Sequence, residues 1–260
     1  MANQKYQAIK YNSNTENKDV EDILVVEEAL KIYINNEIFS ITMCTPENQK
    51  ELVLGLLYSE DVFKDDVSLI NTYSKKVDSI SEIYLEIPKT LLRKGYLNSR
   101  SLLSVASCGI CGKTELNKVK GNIKNSDKLR ITNLSSMFKL MTSKQNLFIK
   151  SGGSHAAAIF DNKNKLLSIK EDIGRHNAVD KTIGDLIVQK KLKNAFCLLV
   201  SGRISYEIII KSFKAKIPII AAVSAPSSLA VDFSKELGIT LLAFCREENA
   251  TCYANDYRIY

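Results

Sequence analysis

Three short apolar runs in the C-terminal third constrain this chain more than any other feature. Residues 195–200 are continuously apolar, the pattern of a strand buried on both faces, 217–223 read as a second buried strand, and 239–244, apolar but for Thr240, as a third strand. Between them lie two helix-length segments, 204–214 and 226–237, the second closed by Gly238. Helices alternating with buried strands imply parallel pairing with right-handed crossovers, hence an α/β fold. In such a sheet the C-terminal strand ends share one edge, where open sheets place ligands. Those ends are Ser201-Gly202-Arg203, Ser224-Ala225-Pro226-Ser227 and Phe244-Cys245-Arg246. The first two lead toward helix N-termini, which attract phosphate, and two arginines there could grip a diphosphate. Arg175 and His176 open another helix and add a third anion-facing element. Three coincident turns favour a phosphorylated ligand.

Upstream, Ser151-Gly152-Gly153-Ser154-His155 is a small-residue turn into an apolar run over 156–160. Asp161-Asn162-Lys163-Asn164 reverses the chain, and 166–169 runs back. The segment from Glu171 then opens a helix with Val179, Ile183, Leu186 and Ile187 on one face, and Asp172, His176 and Asp180 are spaced to share a side. Taken alone, His155 reads as a satisfied structural histidine and Cys197 as inert core.

A second feature suggests chemistry rather than packing. Ser107-Cys108-Gly109-Ile110-Cys111-Gly112-Lys113 sets two thiols three positions apart, among glycines and beside a lysine. The spacing lets both sulfurs reach one small volume, and positive charge favours thiolate over thiol. Covalent sulfur chemistry on a mobile loop is one reading. Half of a zinc site, a thioredoxin-like dithiol and a structural disulfide are the others. The remaining cysteines, Cys44, Cys197, Cys245 and Cys252, form no second knuckle, and the only histidines are His155 and His176.

The N-terminal half reads as α+β. Residues up to about 19 suggest a loose, Asn- and Lys-rich arm. Strands follow over 20–43, with Leu30-Lys31-Ile32-Tyr33-Ile34 turning at Asn35-Asn36 into Ile38-Phe39-Ser40-Ile41. Thr45-Pro46-Glu47 signals a helix start running to about residue 59 and burying Leu52, Leu56 and Leu57. Residues 80–87 alternate again, with Ile83, Leu85 and Ile87 on one face, and another helix is expected over 132–143. The expected division is a smaller α+β part over 1–125, with the hairpin and the C-x-x-C loop, and an α/β part over 126–260. At 260 residues, 45% apolar and 25% charged, the composition is that of an ordinary globular protein. The net charge of +7 hints at anionic partners. A polar N-terminus, no apolar run near the length of a bilayer span, and cysteines without framework spacing predict a cytoplasmic protein with no membrane segment.

Together these motifs resemble the formate dehydrogenase accessory sulfurtransferase family. The likeness lies in Val26-Glu27-Glu28, Thr42-Met43-Cys44-Thr45-Pro46, the Cys108/Cys111 loop, Gly152-Gly153-Ser154-His155-Ala156-Ala157-Ala158, the block Glu171-Asp172-Ile173-Gly174-Arg175-His176-Asn177-Ala178-Val179-Asp180-Lys181, and Ser201-Gly202-Arg203. The resemblance implies a sulfur carrier that takes persulfide sulfur from a cysteine desulfurase. It would pass that sulfur to the bis(molybdopterin guanine dinucleotide) molybdenum cofactor, its bound substrate, before insertion into the formate dehydrogenase catalytic subunit. Cys108 would hold the persulfide and Cys111 would assist or protect it. The cofactor contacts would be Phe244, Cys245, Arg246, Glu247, Glu248 and Asn249 with Arg203, Arg175, His176 and His155, and a guanine nucleotide such as GDP would mimic the cofactor. It further implies a homodimer and a three-layer α/β sandwich with a mixed, largely parallel sheet, cytidine deaminase-like in its C-terminal part. Neither a metal site nor nucleic acid is expected. The alternative is a zinc- or redox-active dithiol module without sulfur transfer. A deaminase is set aside because the H-x-E and P-C-x-x-C pattern is absent.

Overall fold

The computed structural model describes residues 1–13, 16–78, 80–99 and 119–260. It opens on β1 (Asn3–Lys10) and β2 (Lys18–Val25), paired antiparallel along their whole length. The expected loose arm is thus one strand of a hairpin. Both faces of this ribbon meet water, so its sequence lacks the apolar alternation by which a half-buried strand is recognised.

Strands β3 (Glu28–Ile34) and β4 (Glu37–Cys44) meet at Asn35 and Asn36, with φ of 50° and 67°, the left-handed pair that a type I′ turn requires. The Asn35 side chain pins the turn by bonding both the N–H and the carbonyl of Ile87. Helix α1 (Gln49–Ser59), β5 (Asn71–Val77) and β6 (Ile80–Glu86) complete a four-stranded sheet of order β4-β3-β6-β5. Leu30, Ile32, Ile34, Ile83 and Leu85 turn inward and form one core with Leu52, Val53, Leu54 and Leu57 of α1. α1 starts three residues later than Thr45 suggests, at Gln49 with Asn48 as its cap. The Thr45 hydroxyl accepts from Ile173 N–H and its own N–H donates to Asp172, so it serves a contact across the molecule rather than a helix cap.

After α2 (Lys94–Ser99) come α3 (Ile131–Ser143), α4 (Asn146–Ser151), β7 (His155–Phe160), β8 (Leu166–Asp172) and α5 (Arg175–Val188). The α/β alternation follows as β9 (Cys197–Val200), α6 (Tyr206–Lys214), β10 (Ile219–Ala222), α7 (Ser228–Leu237), β11 (Thr240–Arg246) and β12 (Asn249–Ala254). The six-stranded sheet has order β12-β11-β10-β9-β7-β8, with β9, β10 and β11 parallel and the flanking strands antiparallel. Alternate residues of β9 feed opposite faces: Leu198 and Val200 pack with α5, α6 and α7, while Cys197 and Leu199 pack with α3. The result is the expected three-layer sandwich around a mixed sheet.

The four-stranded unit joins this sandwich through α1 and α5, whose backbones nearly touch. A methyl at Gly55 would fall 2.6 Å from the Asp180 carbonyl carbon, and one at Gly184 would fall 2.7 Å from that of Glu51. Charges are buried beside this seam. Lys211 forms a bidentate pair with Asp180, 2.7 and 2.8 Å, which also accepts from Ser59. Of the three residues expected on one side of α5, His176 and Asp180 do face α6, meeting Glu207 and Lys211. Asp172 precedes the helix and turns instead to Thr45 and Lys181.

Candidate functional site

The C-terminal edge of β9, β10 and β11 forms a rim. Because β7 runs antiparallel to β9, its first residue, His155, lies on the same rim, as does Asp172 at the end of β8. Ser201 locks the centre: its N–H donates to the Ala156 carbonyl and its hydroxyl accepts from Ala156 N–H. Helix α6 begins at Tyr206 rather than 204, because Ile204 and Pro226 form a parallel bridge that closes the two loops on each other. The helix ends are consequently less open to phosphate than the sequence suggests. Glu207 occupies the first turn of α6, and the Ser227 side chain accepts from Ala230 N–H in the first turn of α7.

Cationic groups gather at the β7 end of the rim. Gly202 lies so close to His155 that an added methyl would sit 3.1 Å from Nδ1, and 3.6 Å from Cβ of Arg175. Burial, then the Arg175 guanidinium, hold the His155 pKa below its ordinary value; Arg203 adds to this while Asp172 opposes it. Near neutral pH, His155 is therefore an uncharged imidazole between two permanent cations. The Nε of Arg175 is buried and makes no hydrogen bond among the described residues. A buried guanidinium N–H without an acceptor signals either strain or a missing ligand. Arg203 is exposed on the neighbouring loop. His176 is placed differently: its Nε2 lies 3.0 Å from Ser205 Oγ and 3.7 Å from Glu207, between α5 and α6.

The β11 end of the rim holds a cavity of about 530 Å³. Its floor is apolar, with Leu134 and Phe138 of α3, Val223 and Cys245, and its lip carries Lys139, Thr142, Arg246, Glu247, Glu248 and Asn249. Five of the six tail residues singled out in the sequence thus border one cavity. The sixth, Phe244, has φ of 53° at a bulge between Ala243 and Arg246, is 45% exposed, and leans on Tyr253 with ring centroids 6.3 Å apart. A bulky residue in the left-handed region is held there against a steric cost, and such outliers concentrate at ligand sites. Three strand spacings separate the two ends of the rim, about 14 Å. The part of the cavity wall built by α3 carries no signal in the sequence, because α3 reads as an ordinary amphipathic helix.

Cys108 and Cys111 lie outside the described residues. The four described cysteines are poor thiolates. Burial pushes the Cys44 thiol up to about 12 and Cys245 up to about 11, and it raises Cys197 and Cys252 as well. Among the described residues no cluster of three or more His, Cys, Asp or Glu side chains could hold a metal ion, and no helix is long and apolar enough to cross a membrane.

Comparison with known proteins points one way. The profile of the FdhD/NarQ family matches residues 25–260. The chain is 40% identical over 245 residues to the sulfur carrier protein FdhD of Sulfolobus acidocaldarius, covering 92% of both chains. It is 39% identical over 258 residues to the protein of the same name from Sulfurisphaera tokodaii, covering 96% of both. Among solved structures, a putative formate dehydrogenase accessory protein from Desulfotalea psychrophila shares the fold, with a TM-score of 0.77, 20% identity and full coverage of both chains.

Proposed function

The chain belongs to the FdhD/NarQ family, and on that premise we propose that it is a cytoplasmic sulfur carrier for formate dehydrogenase maturation. It takes sulfur from the persulfide of a cysteine desulfurase and passes it to the bis(molybdopterin guanine dinucleotide) molybdenum cofactor, its substrate, before that cofactor enters the formate dehydrogenase catalytic subunit. A second copy of the chain completes the working form. In the loading step the Cys108 thiolate attacks the outer sulfur of the donor persulfide. The donor S–S bond breaks, its cysteine leaves as thiolate, and a new S–S bond forms on Cys108 without net oxidation. Lys113 and the surrounding glycines suit an accessible, activated thiol, and Cys111 assists or protects the product.

The observation that carries the substrate half of this reading is the buried Nε of Arg175, which lacks a partner among the described residues, on a rim otherwise lined by His155, Gly202 and Arg203. A phosphate oxygen is the acceptor such a guanidinium is built for. About 14 Å along the rim, the apolar cavity between α3 and the β11–β12 turn suits a planar base, with Phe244 beside it. Two sites at that separation fit a ligand with a diphosphate at one point and an aromatic base at another. Together they would hold the cofactor while the thiol loop brings sulfur to it.

The test is direct. Incubated with a cysteine desulfurase and cysteine, the protein is expected to gain one sulfur atom on Cys108, read by mass spectrometry of the peptide carrying it. Cys108→Ala is expected to abolish formate dehydrogenase maturation without changing the fold. Full maturation by that variant refutes the persulfide role.

A further inference from the structure

Two residues at the end of the four-stranded sheet, Met43 and Thr45, are bonded to α5 and the turn that launches it. The Met43 carbonyl accepts from Asn177 Nδ2 at 2.8 Å, the Thr45 N–H donates to Asp172 Oδ2 at 3.0 Å, and the Thr45 hydroxyl accepts from Ile173 N–H at 3.0 Å. Lys181 closes the network. Its Nζ donates to the Thr45 carbonyl at 2.8 Å and pairs with Asp172 at 2.7 Å. Asp172 also accepts from Gly174 N–H at 2.8 Å and Asn177 Nδ2 at 3.0 Å. Asp172 is fully buried and Lys181 is 1% exposed.

Stability alone is a weak reason for this arrangement. A buried ion pair recovers its desolvation cost only with excellent geometry, and well-packed apolar residues often do as well. What the network does specify is position. Asp172 pairs in register with His155 across β8 and β7, and its carboxylate fixes Gly174 N–H, one residue before Arg175. There is no slack at Gly174, where a methyl would fall 3.0 Å from Asn177 Nδ2. Arg175 and His155 at the cationic rim end therefore hang from one buried carboxylate, which is itself held from the other sheet by Thr45.

We propose that Asp172 and Lys181 are positioning residues: with Thr45 and Asn177 they hold Arg175 and His155 in the one geometry that accepts the anionic ligand. The assignment rests on the rim reading above, and it makes the four-stranded unit part of the ligand site without touching the ligand. A displacement of about 1 Å in a positioned group commonly costs about a hundredfold in function.

GDP binding, measured by calorimetry on the intact chain, separates the possibilities. Lys181→Met is expected to weaken GDP binding at least about tenfold, as is Arg175→Gln, which removes the contact itself. Asn177→Ala, which keeps the ion pair and loses the ties to Met43 and to the Asp172 carboxylate, is expected to weaken binding in the same direction and serves if Lys181→Met does not fold. Lys211→Met, which unpairs the neighbouring buried carboxylate Asp180 and leaves the Thr45–Asp172–Lys181 network in place, is expected to bind GDP within about threefold of wild type. A purely structural role for Lys181 would weaken binding no more in Lys181→Met than in Lys211→Met. Wild-type affinity in folded Lys181→Met and Asn177→Ala overturns the positioning role and leaves the rim reading standing. Binding weakened as much in Lys211→Met as in Lys181→Met also overturns it. If wild-type protein binds no GDP, the rim reading itself fails.

Discussion

Gly55→Ala tests the seam on which the two cores depend. The added methyl would lie 2.6 Å from the carbonyl carbon and 2.9 Å from Cα of Asp180. Ordinary carbon contacts are about 3.5–4.0 Å, so α1 and α5 must part by about 1 Å. The obstacle is backbone in a buried helix, so no side-chain rotation relieves it. Leu52, Val53, Leu54 and Leu57 of α1 are each no more than 3% exposed, and burial of such side chains is worth about 2 kcal/mol apiece. Opening a gap of that size forfeits about a quarter to a half of the affected contact energy, which gives a loss of about 2–4 kcal/mol. For a chain of this length that lowers the melting midpoint by about 4–16 °C, read by circular dichroism. Gly184→Ala meets α1 from the other side, with Glu51 carbonyl carbon at 2.7 Å and Gly55 N at 2.9 Å. Since one displacement relieves both clashes, the double variant is expected to lose less than the sum of the singles. Gly152→Ala is the control: nothing lies within 4 Å and only the left-handed φ of 66° is strained, at about 1–2 kcal/mol. A midpoint for Gly55→Ala equal to or above that of Gly152→Ala refutes the close-packed seam.

Two further outcomes follow from buried charge. The folded pKa of His155 lies below its unfolded value, so on acidification the unfolded chain takes up the proton first. Stability is therefore expected to fall as pH drops from the ordinary histidine range toward the folded pKa, and His155→Gln should flatten that segment of the profile. With only two histidines in the chain, proton NMR assigns the titration directly; a midpoint at or above the ordinary value refutes the cationic surroundings. Lys211→Met leaves the Asp180 carboxylate buried without its cation, at a cost of about 3–5 kcal/mol in urea denaturation at neutral pH. Burial already raises the Asp180 pKa, so the variant should regain stability relative to wild type as pH falls. A loss independent of pH counts against an unpaired carboxylate as the cause.

The sequence carried the fold wherever local pattern and tertiary role agree. Residues 195–200, 217–223 and 239–244 are apolar but for Thr240 because both faces of their sheet are covered, and such runs need no neighbour to be recognised. The Asn35-Asn36 turn was legible because its backbone demands left-handed residues. Legibility failed where a residue's partner is remote. Thr45 has every mark of a helix cap, yet its hydrogen bonds go to residues 172 and 173. Strand β1 was missed because a ribbon wetted on both faces has no period for burial to impose. At the rim, strand-end logic found Arg175, Arg203 and the tail segment, but it could not separate His155 from an ordinary core histidine. What distinguishes His155 is its setting between two arginines contributed by other segments.

The same distance effect explains why the α5 block is dense in charge. Asp172, Asp180 and Lys181 would suit a solvated helix face, yet each is at most 2% exposed. Their partners come from three separate stretches: Thr45 after β4, Ser59 at the end of α1, and Lys211 on α6. Helix α5 begins at the rim and packs against α1 and α6, so its polar residues can be satisfied only if every neighbouring element is in place. Such a helix acts as a keystone: a shift of the four-stranded unit is passed through Thr45 and Asp172 to Arg175. That is why the cationic rim end answers to residues that never meet a ligand.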